Sequence, residues 1–462
     1  MSTPLALAFG TGALLGKSIA SDRPIRLKDP KRSTYLIGAH GTGKSTVMLN
    51  LILADIEKDD KGVVVLDPHG DLARAVAQRC PPAHAERVIY FAPSEQRDRV
   101  MGLNPFELRD AREYDLKVGA LMDVFAHTWY GGFSRTPTLQ NTLETLVRTL
   151  LAANPELQTS FLHMLLATRL DPVGEQVRQR LAVYVRGNPA LAQNWAEWSN
   201  ERRLRDDIES SRQKIKHIIA SDVLAAILCQ PHSAECFQFQ EVLSQKGILL
   251  VNLEGLEDEG QRLIGSILLN QLLVMAKLRK DAGDRMPCHI YADEFYKFSP
   301  QAFVTIINEA RKYQLFCTLA HQNLDQLDKE ARAAAGNCGN VIVFRVNPGD
   351  AAALNKHFLA GGRILSPHAL SNLPRFQALV RYADGNERRQ ALLRTYAEKG
   401  RENPTTAGAI RRRSEHYGTP RDVIDKYLDA KLDLDYEQQN PDKRKPIRTR
   451  AKAAGDSAGQ EE

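Results

Sequence analysis

The segment Gly38-Ala-His-Gly-Thr-Gly43-Lys44-Ser45 constrains this chain more than any other, because it matches G-x-x-x-x-G-K-[ST] in full. Its flanks suit it. Thr34–Ile37 reads as a short buried strand, and Thr46–Ile56 carries apolar residues at helical spacing. A loop joining a strand to a helix N-terminus turns its backbone N–H groups inward, where the helix dipole favours an anion. Gly38, Gly41 and Gly43 let the chain wrap closely around β- and γ-phosphate. Lys44 supplies a point charge, and Ser45 offers an oxygen to Mg2+. The nucleotide-binding set is therefore Gly38, Gly41, Thr42, Gly43, Lys44, Ser45 and Thr46.

Bulk composition excludes little. With 43% hydrophobic and 26% charged residues over 462 positions, the chain is long and apolar enough for a real core. A net charge of +6 permits a polyanionic partner without requiring one. The six cysteines (80, 229, 236, 288, 317 and 338) form no C-x-x-C pair and read as reduced, buried residues of a cytoplasmic protein. Cys229, His232 and Cys236 offer three zinc ligands but no fourth, so a plain helix-end loop is the expectation there. The apolar stretch Pro4–Gly16 is shorter than the ~20 residues a spanning helix needs, and lacks a basic leader. No intrinsic membrane span is expected.

Short apolar runs recur at Gly62–Leu66, Arg87–Phe91, Gly247–Leu253, Cys288–Ala292, Leu315–Leu319, Asn340–Val346 and Phe376–Tyr382. They are continuous rather than alternating, which predicts a sheet covered on both faces. Helical patterns such as Gln261–Lys280 and Gln301–Tyr313 separate them. The expected fold is α/β, a RecA-like P-loop domain with a doubly wound, mainly parallel sheet. Residues 23–107 and 237–398 would form it. Residues 108–236 lose strand signals and read as an inserted all-helical domain, with helices at Thr138–Ala153, Ser160–Leu170, Gly174–Arg186 and Asp206–Leu228. Residues 1–22 read as an apolar lead and 399–436 as a helical extension, with Thr419 as N-cap and Pro420 opening its helix. Residues 437–462 read as a disordered basic tail, since Lys443–Lys452 carries six basic residues and no acid. That tail suits phosphate contact or mere solubility equally well.

A second element narrows the chemistry. Ile290-Tyr-Ala-Asp293-Glu294 ends a strand in adjacent carboxylates, where an Asp holds Mg2+ and a following Glu polarises the attacking water. Gln322 ends the next strand and is placed to sense the γ-phosphate. Arg311, on the helix between them, fits an arginine finger acting on a neighbouring subunit, or a plain surface position. Trp129-Tyr-Gly-Gly-Phe133-Ser-Arg135 has an aromatic and basic character that suits gripping a nucleic acid strand or packing against helices.

The P-loop, Leu66-Asp-Pro-His-Gly-Asp-Leu72, Gly102-Leu-Asn-Pro-Phe106, Ala292-Asp-Glu-Phe295, Glu309-Ala-Arg-Lys-Tyr313, Ala320–Leu327 and Asn340–Arg345 occur in one order. That succession resembles the type IV secretion coupling proteins of the TraG/TraD kind, which sit with the HerA and FtsK translocases among RecA-like hexameric motors. The resemblance covers most of residues 23–390. It implies an ATP- and Mg2+-dependent DNA-translocating ATPase, assembled as a homohexamer around single- or double-stranded DNA. Lys44 and Ser45 would then serve phosphate and Mg2+, Asp293 the metal, Glu294 the water, Gln322 the sensor and Arg311 the finger in trans. Arg345 is a second finger candidate. The implied partners are a relaxase and a secretion channel, with recruitment to the inner membrane through a partner. Coupling proteins usually carry N-terminal membrane helices, and none is expected in this sequence, so the alternatives stay open. One is a HerA-like DNA-processing or phage-defence ATPase working with a nuclease; another is a protein-secretion ATPase or docking platform not driven by DNA.

Overall fold

The computed structural model describes residues 13–27, 32–129, 133, 136–279, 285–358, 366–384 and 387–439. Its strands are β1 (Ala13–Ser18), β2 (Pro24–Leu27), β3 (Thr34–Ile37), β4 (Gly62–Asp67), β5 (Val88–Phe91) and β6 (Arg99–Val100). There follow β7 (Ile248–Asn252), β8 (Cys288–Ala292), β9 (Leu315–His321), β10 (Asn340–Val343), β11 (Gln377–Asp384), β12 (Glu387–Thr395) and β13 (Thr419–Pro420). Eleven of them form one sheet in the order β2-β1-β12-β11-β10-β3-β9-β8-β4-β7-β5. From β10 to β5 every neighbouring pair is parallel. Beyond β10 the sheet continues as an antiparallel meander.

Alternation within the strands explains the continuous apolar runs. Val64 and Leu66 of β4 face one core, while Val63 and Val65 face another on the opposite side of the sheet. The second core receives the Lys44–Lys58 helix through Val47, Met48, Leu51, Ile52 and Ile56. The sheet is thus covered on both faces, as its sequence predicts.

Between β6 and β7 the described residues form helices and no strand, from Tyr114–Thr128 to Asp222–Leu228. Local sequence starts several of them. Asp171, Asn188, Asn200 and Ser221 each accept a backbone N–H of the first turn, and proline opens two of those helices. One residue joins this block to the sheet. The Asn104 side chain donates to Thr159 O at 2.7 Å and Pro231 O at 2.6 Å, and accepts from Phe106 N at 3.0 Å. Its backbone N–H reaches Ser233 Oγ at 2.9 Å, and Ala234 N donates to Gly102 O at 2.8 Å. The chain therefore enters and leaves the helical block at one place.

Several sequence expectations shift. Within the apolar lead expected at 1–22, Ala13–Ser18 belongs to the sheet, where β1 pairs with β12 and β2, and residues 1–12 lie outside the described residues. The β12 strand escapes the pattern because Glu387–Gln390 are all exposed, which leaves no apolar alternation to read. Thr419 and Pro420 pair with Arg99 and Val100, so the final helix begins at Arg421. Trp129 and Phe133 are buried, and Trp129 stacks on Phe125 at 4.9 Å and donates to Glu259 at 2.9 Å. Residues 130–132, 134–135 and 440–462 lie outside the described residues, while 437–439, expected in the basic tail, end the last helix. All six cysteines are buried and unpaired, and no group of three metal-ligating side chains converges among the described residues. No described helix is long and apolar enough to cross a membrane.

Candidate nucleotide and catalytic site

Parallel strands bring their carboxyl ends to one edge of the sheet, and the motif residues gather there. β3 runs into the glycine loop, whose Gly41 (φ 69°) and Gly43 (φ 116°) occupy left-handed backbone. Gly43 is also the N-cap of the Lys44–Lys58 helix. That helix has no side-chain cap and no acidic residue in its first turn. Its leading N–H groups are therefore available to an anion, which fits a phosphate chain. A side chain at Gly38 would meet Phe344 Cβ at 2.5 Å, so the loop tolerates only glycine there.

Lys44 is buried, and its Nζ donates to Gly38 O at 2.6 Å and Ala39 O at 3.2 Å. Burial lowers its pKa, opposed by the nearby Asp293 and Glu294 carboxylates. Ser45 is exposed, Thr46 is half-buried, and the Thr42 hydroxyl braces the loop by donating to Ala39 O at 2.8 Å.

Two strands away, β8 delivers the carboxylate pair. Asp293 N donates to Leu66 O at 3.1 Å, which ties the turn to β4. Burial pushes the Asp293 carboxyl up to about 7, helped by the negative charges of Asp67 and Glu294 and opposed by Lys44. Such a group is poised to exchange its proton for a cation. Glu294 takes a left-handed backbone (φ 45°), uncommon outside glycine, and is 4% exposed. Gln322 Nε2 donates to Glu294 Oε1 at 2.7 Å, while Glu294 Oε2 is buried with no hydrogen-bond partner among the described residues. An orphan carboxylate oxygen beside a phosphate cradle is where a reacting water would bind.

The two arginine candidates separate. Arg345 lies past the end of β10, not on it, and its carbonyl accepts Ala39 N of the same chain's loop at 2.8 Å. Arg311 is exposed at the amino-terminal edge of the sheet, the opposite edge from the loop. There it lines a groove of about 430 Å3 with Arg32, Ser33 and Gly339. The Asp67 carboxylate, whose role the motif alone leaves open, accepts His69 N and Ala73 N at 2.9 Å each. It fixes the turn into the Asp71–Arg79 helix and adds negative charge behind Asp293. Motif reading missed Arg375 and Phe376 altogether. Arg375 Nε donates to Gly41 O and Phe376 N to Thr42 O, both at 2.9 Å.

Residues 12–272, over half of the chain, match the family described as the central domain of the helicase HerA. The chain belongs to that family. Residues 287–355 of this HerA-family chain also match the TraM recognition site of TraD and TraG. No curated protein sequence matches. Among solved structures, the unbound bacterial conjugative coupling protein TrwB is similar, with TM-score 0.62 and 17% identity. That match covers 85% of this chain and 91% of the solved chain, TrwBdeltaN70. TrwB with ADP and Mg2+ gives the same TM-score, identity and coverage. VirB4 of Thermoanaerobacter pseudethanolicus follows at TM-score 0.51 and 15% identity, over 85% of this chain and 98% of that one. These likenesses establish a fold of the coupling-protein kind, in line with the RecA-like expectation.

Proposed function

We propose that the chain is an ATP-hydrolysing motor that moves DNA, acting in conjugation as a coupling protein that hands relaxase-bound DNA to a secretion channel. The observation that carries the hydrolytic part is the Gln322–Glu294 pair, with Glu294 Oε2 left free beside the glycine loop. A docking platform that only senses nucleotide has no use for a general base so prepared.

In this reading the loop N–H groups and Lys44 hold the β- and γ-phosphates of ATP. Ser45 and Asp293 hold Mg2+, which neutralises charge developing on the phosphate oxygens. Glu294 Oε2 binds the attacking water and takes its proton as the new Pγ–O bond forms and the bond from Pγ to the β,γ-bridging oxygen breaks, with ADP as the leaving group. Gln322 fixes the other carboxylate oxygen and reports the loss of γ-phosphate through β9. Arg311 is remote from its own loop and exposed, so it serves a neighbouring subunit's site, and a ring, taken as a hexamer, completes each active centre. Support for DNA as cargo comes from HerA-family membership, the conjugative role of TrwB and the +6 charge.

The test is steady-state ATP hydrolysis with and without single-stranded and duplex DNA, at two salt concentrations, with assembly size followed in parallel. DNA stimulation that fades with salt, in a ring-sized assembly, is expected. Turnover indifferent to DNA would overturn the DNA assignment and favour a protein-directed ATPase.

A further inference from the structure

Four large hydrophobic side chains are exposed among the described residues, and Phe376 is the one aromatic among them. It is 43% exposed and adopts φ 63°, a conformation that bulky residues rarely tolerate. Three contacts of the main chain hold it there. Its N–H donates to Thr42 O at 2.9 Å, and its carbonyl accepts Thr395 N at 2.8 Å and Thr395 Oγ1 at 3.3 Å. The ring is pressed against the glycine loop, since a Cβ at Gly43 would lie 3.0 Å from Phe376 Cδ1. Arg375 stands over the ring at 5.6 Å and donates Nε to Gly41 O. Its guanidinium thus ties the aromatic residue to the loop.

A strained, solvent-facing aromatic fixed at the mouth of a phosphate cradle has a ready use. We propose that Phe376 is the platform on which the base of the bound nucleotide stacks, with Arg375 as the positioning residue that locks ring and loop together. The inference rests on the nucleotide reading above and adds the part of the ligand which the glycine loop does not touch. With the phosphates at Gly43 and the Lys44 helix, ribose and base leave the loop on its open side, and Phe376 borders that side next to Gly43. Stacking is tolerant of base identity because every base has a π-face. The platform therefore supplies affinity for the nucleoside rather than a choice among bases.

Calorimetric titration of the full chain with ADP and with inorganic pyrophosphate, both with Mg2+, separates the two halves of the ligand. Phe376→Gly removes the ring and suits the left-handed backbone, so the fold is retained. It should weaken ADP about tenfold, within the range that base–aromatic stacking supplies, and leave pyrophosphate unchanged. Phe376→Tyr should keep ADP affinity. Arg375→Gln should lower ADP affinity less than Phe376→Gly does. Equal ADP affinity in Phe376→Gly and the unaltered chain would overturn the platform. An equal loss of both ligands would also overturn it, because the ring would then only shape the loop. Failure of the unaltered chain to bind either ligand would instead sink the nucleotide reading itself.

Discussion

Gln322, just past the end of β9, donates its side-chain amide to Glu294, two residues past β8, Nε2 to Oε1, at 2.7 Å. This bond leaves one carboxylate oxygen of Glu294 committed and the other free, so the two oxygens have different tasks. Replacing Glu294 by Gln should preserve nucleotide binding and cut turnover at least 100-fold, the usual worth of a positioned base. Gln322→Ala should leave ADP affinity intact and lower turnover about tenfold. Steady-state rates set beside equilibrium binding check both, and equal hydrolysis by Glu294→Gln and the unaltered chain refutes the assignment of Glu294 to water.

Asp293 carries a pH signature. Its folded pKa of about 7 lies above the ordinary carboxyl value of 3.8, so between these values the folded state holds a proton that the unfolded state has lost. Stability without ligand should therefore fall as pH rises from about 4 to 7, then level off. Affinity for Mg2+-nucleotide should move the other way, rising through pH 7 as the carboxylate frees itself for the cation. Titrations at pH 6, 7 and 8 read the second effect, and Asp293→Asn should remove its pH dependence.

Arg311 and Lys44 sit at opposite edges of one sheet, so a mixture of defective chains discriminates their roles. Arg311→Ala and Lys44→Ala should each be inactive alone. Mixed before assembly they should regain part of the turnover, because some interfaces pair an intact Lys44 with an intact Arg311. No recovery from mixing would place Arg311 outside the reaction.

Asn104 should be costly to remove. Truncation to Ala strips the Pro231 carbonyl of its donor and the buried Phe106 N–H of its acceptor, and leaves the Thr159 carbonyl to Asn154 alone, a loss of about 2–4 kcal/mol for the two stranded groups. Denaturant unfolding with an unchanged m-value would measure it.

The parallel core was legible because its strands are apolar on both faces and its motifs lie at strand ends, as with Asp293, Glu294 and Gln322. Of the meander, β11 was legible in the apolar run Phe376–Tyr382, but β12 was not, because it opens with Glu387-Arg-Arg-Gln390, four exposed polar residues that resemble a loop. Arg375 and Phe376 were invisible for a different reason. Arg375 meets Gly41 across 334 positions of chain, and no local pattern encodes a contact so distant. Arg345 read as part of a strand because Val341–Phe344 is uniformly apolar, yet the ladder stops at Val343 so that Ala39 can bond its carbonyl.

The Asn104 clasp bears on the order in which the chain folds. β4 and β7 are neighbours in the sheet, yet the whole helical block lies between them in sequence. Once that block is formed and pinned between Gly102 and Ala234, the loop to be closed shrinks from about 180 residues to roughly 50, close to two halvings, which lowers the entropic cost by about 1 kcal/mol. The helical block should accordingly gain amide protection before the β4–β7 pair in pulsed hydrogen exchange. Protection of the sheet first would reverse that order. Lys44 precedes the insertion in sequence and Asp293, Glu294 and Gln322 follow it, so in this order the nucleotide cradle is completed only after the helical block has formed.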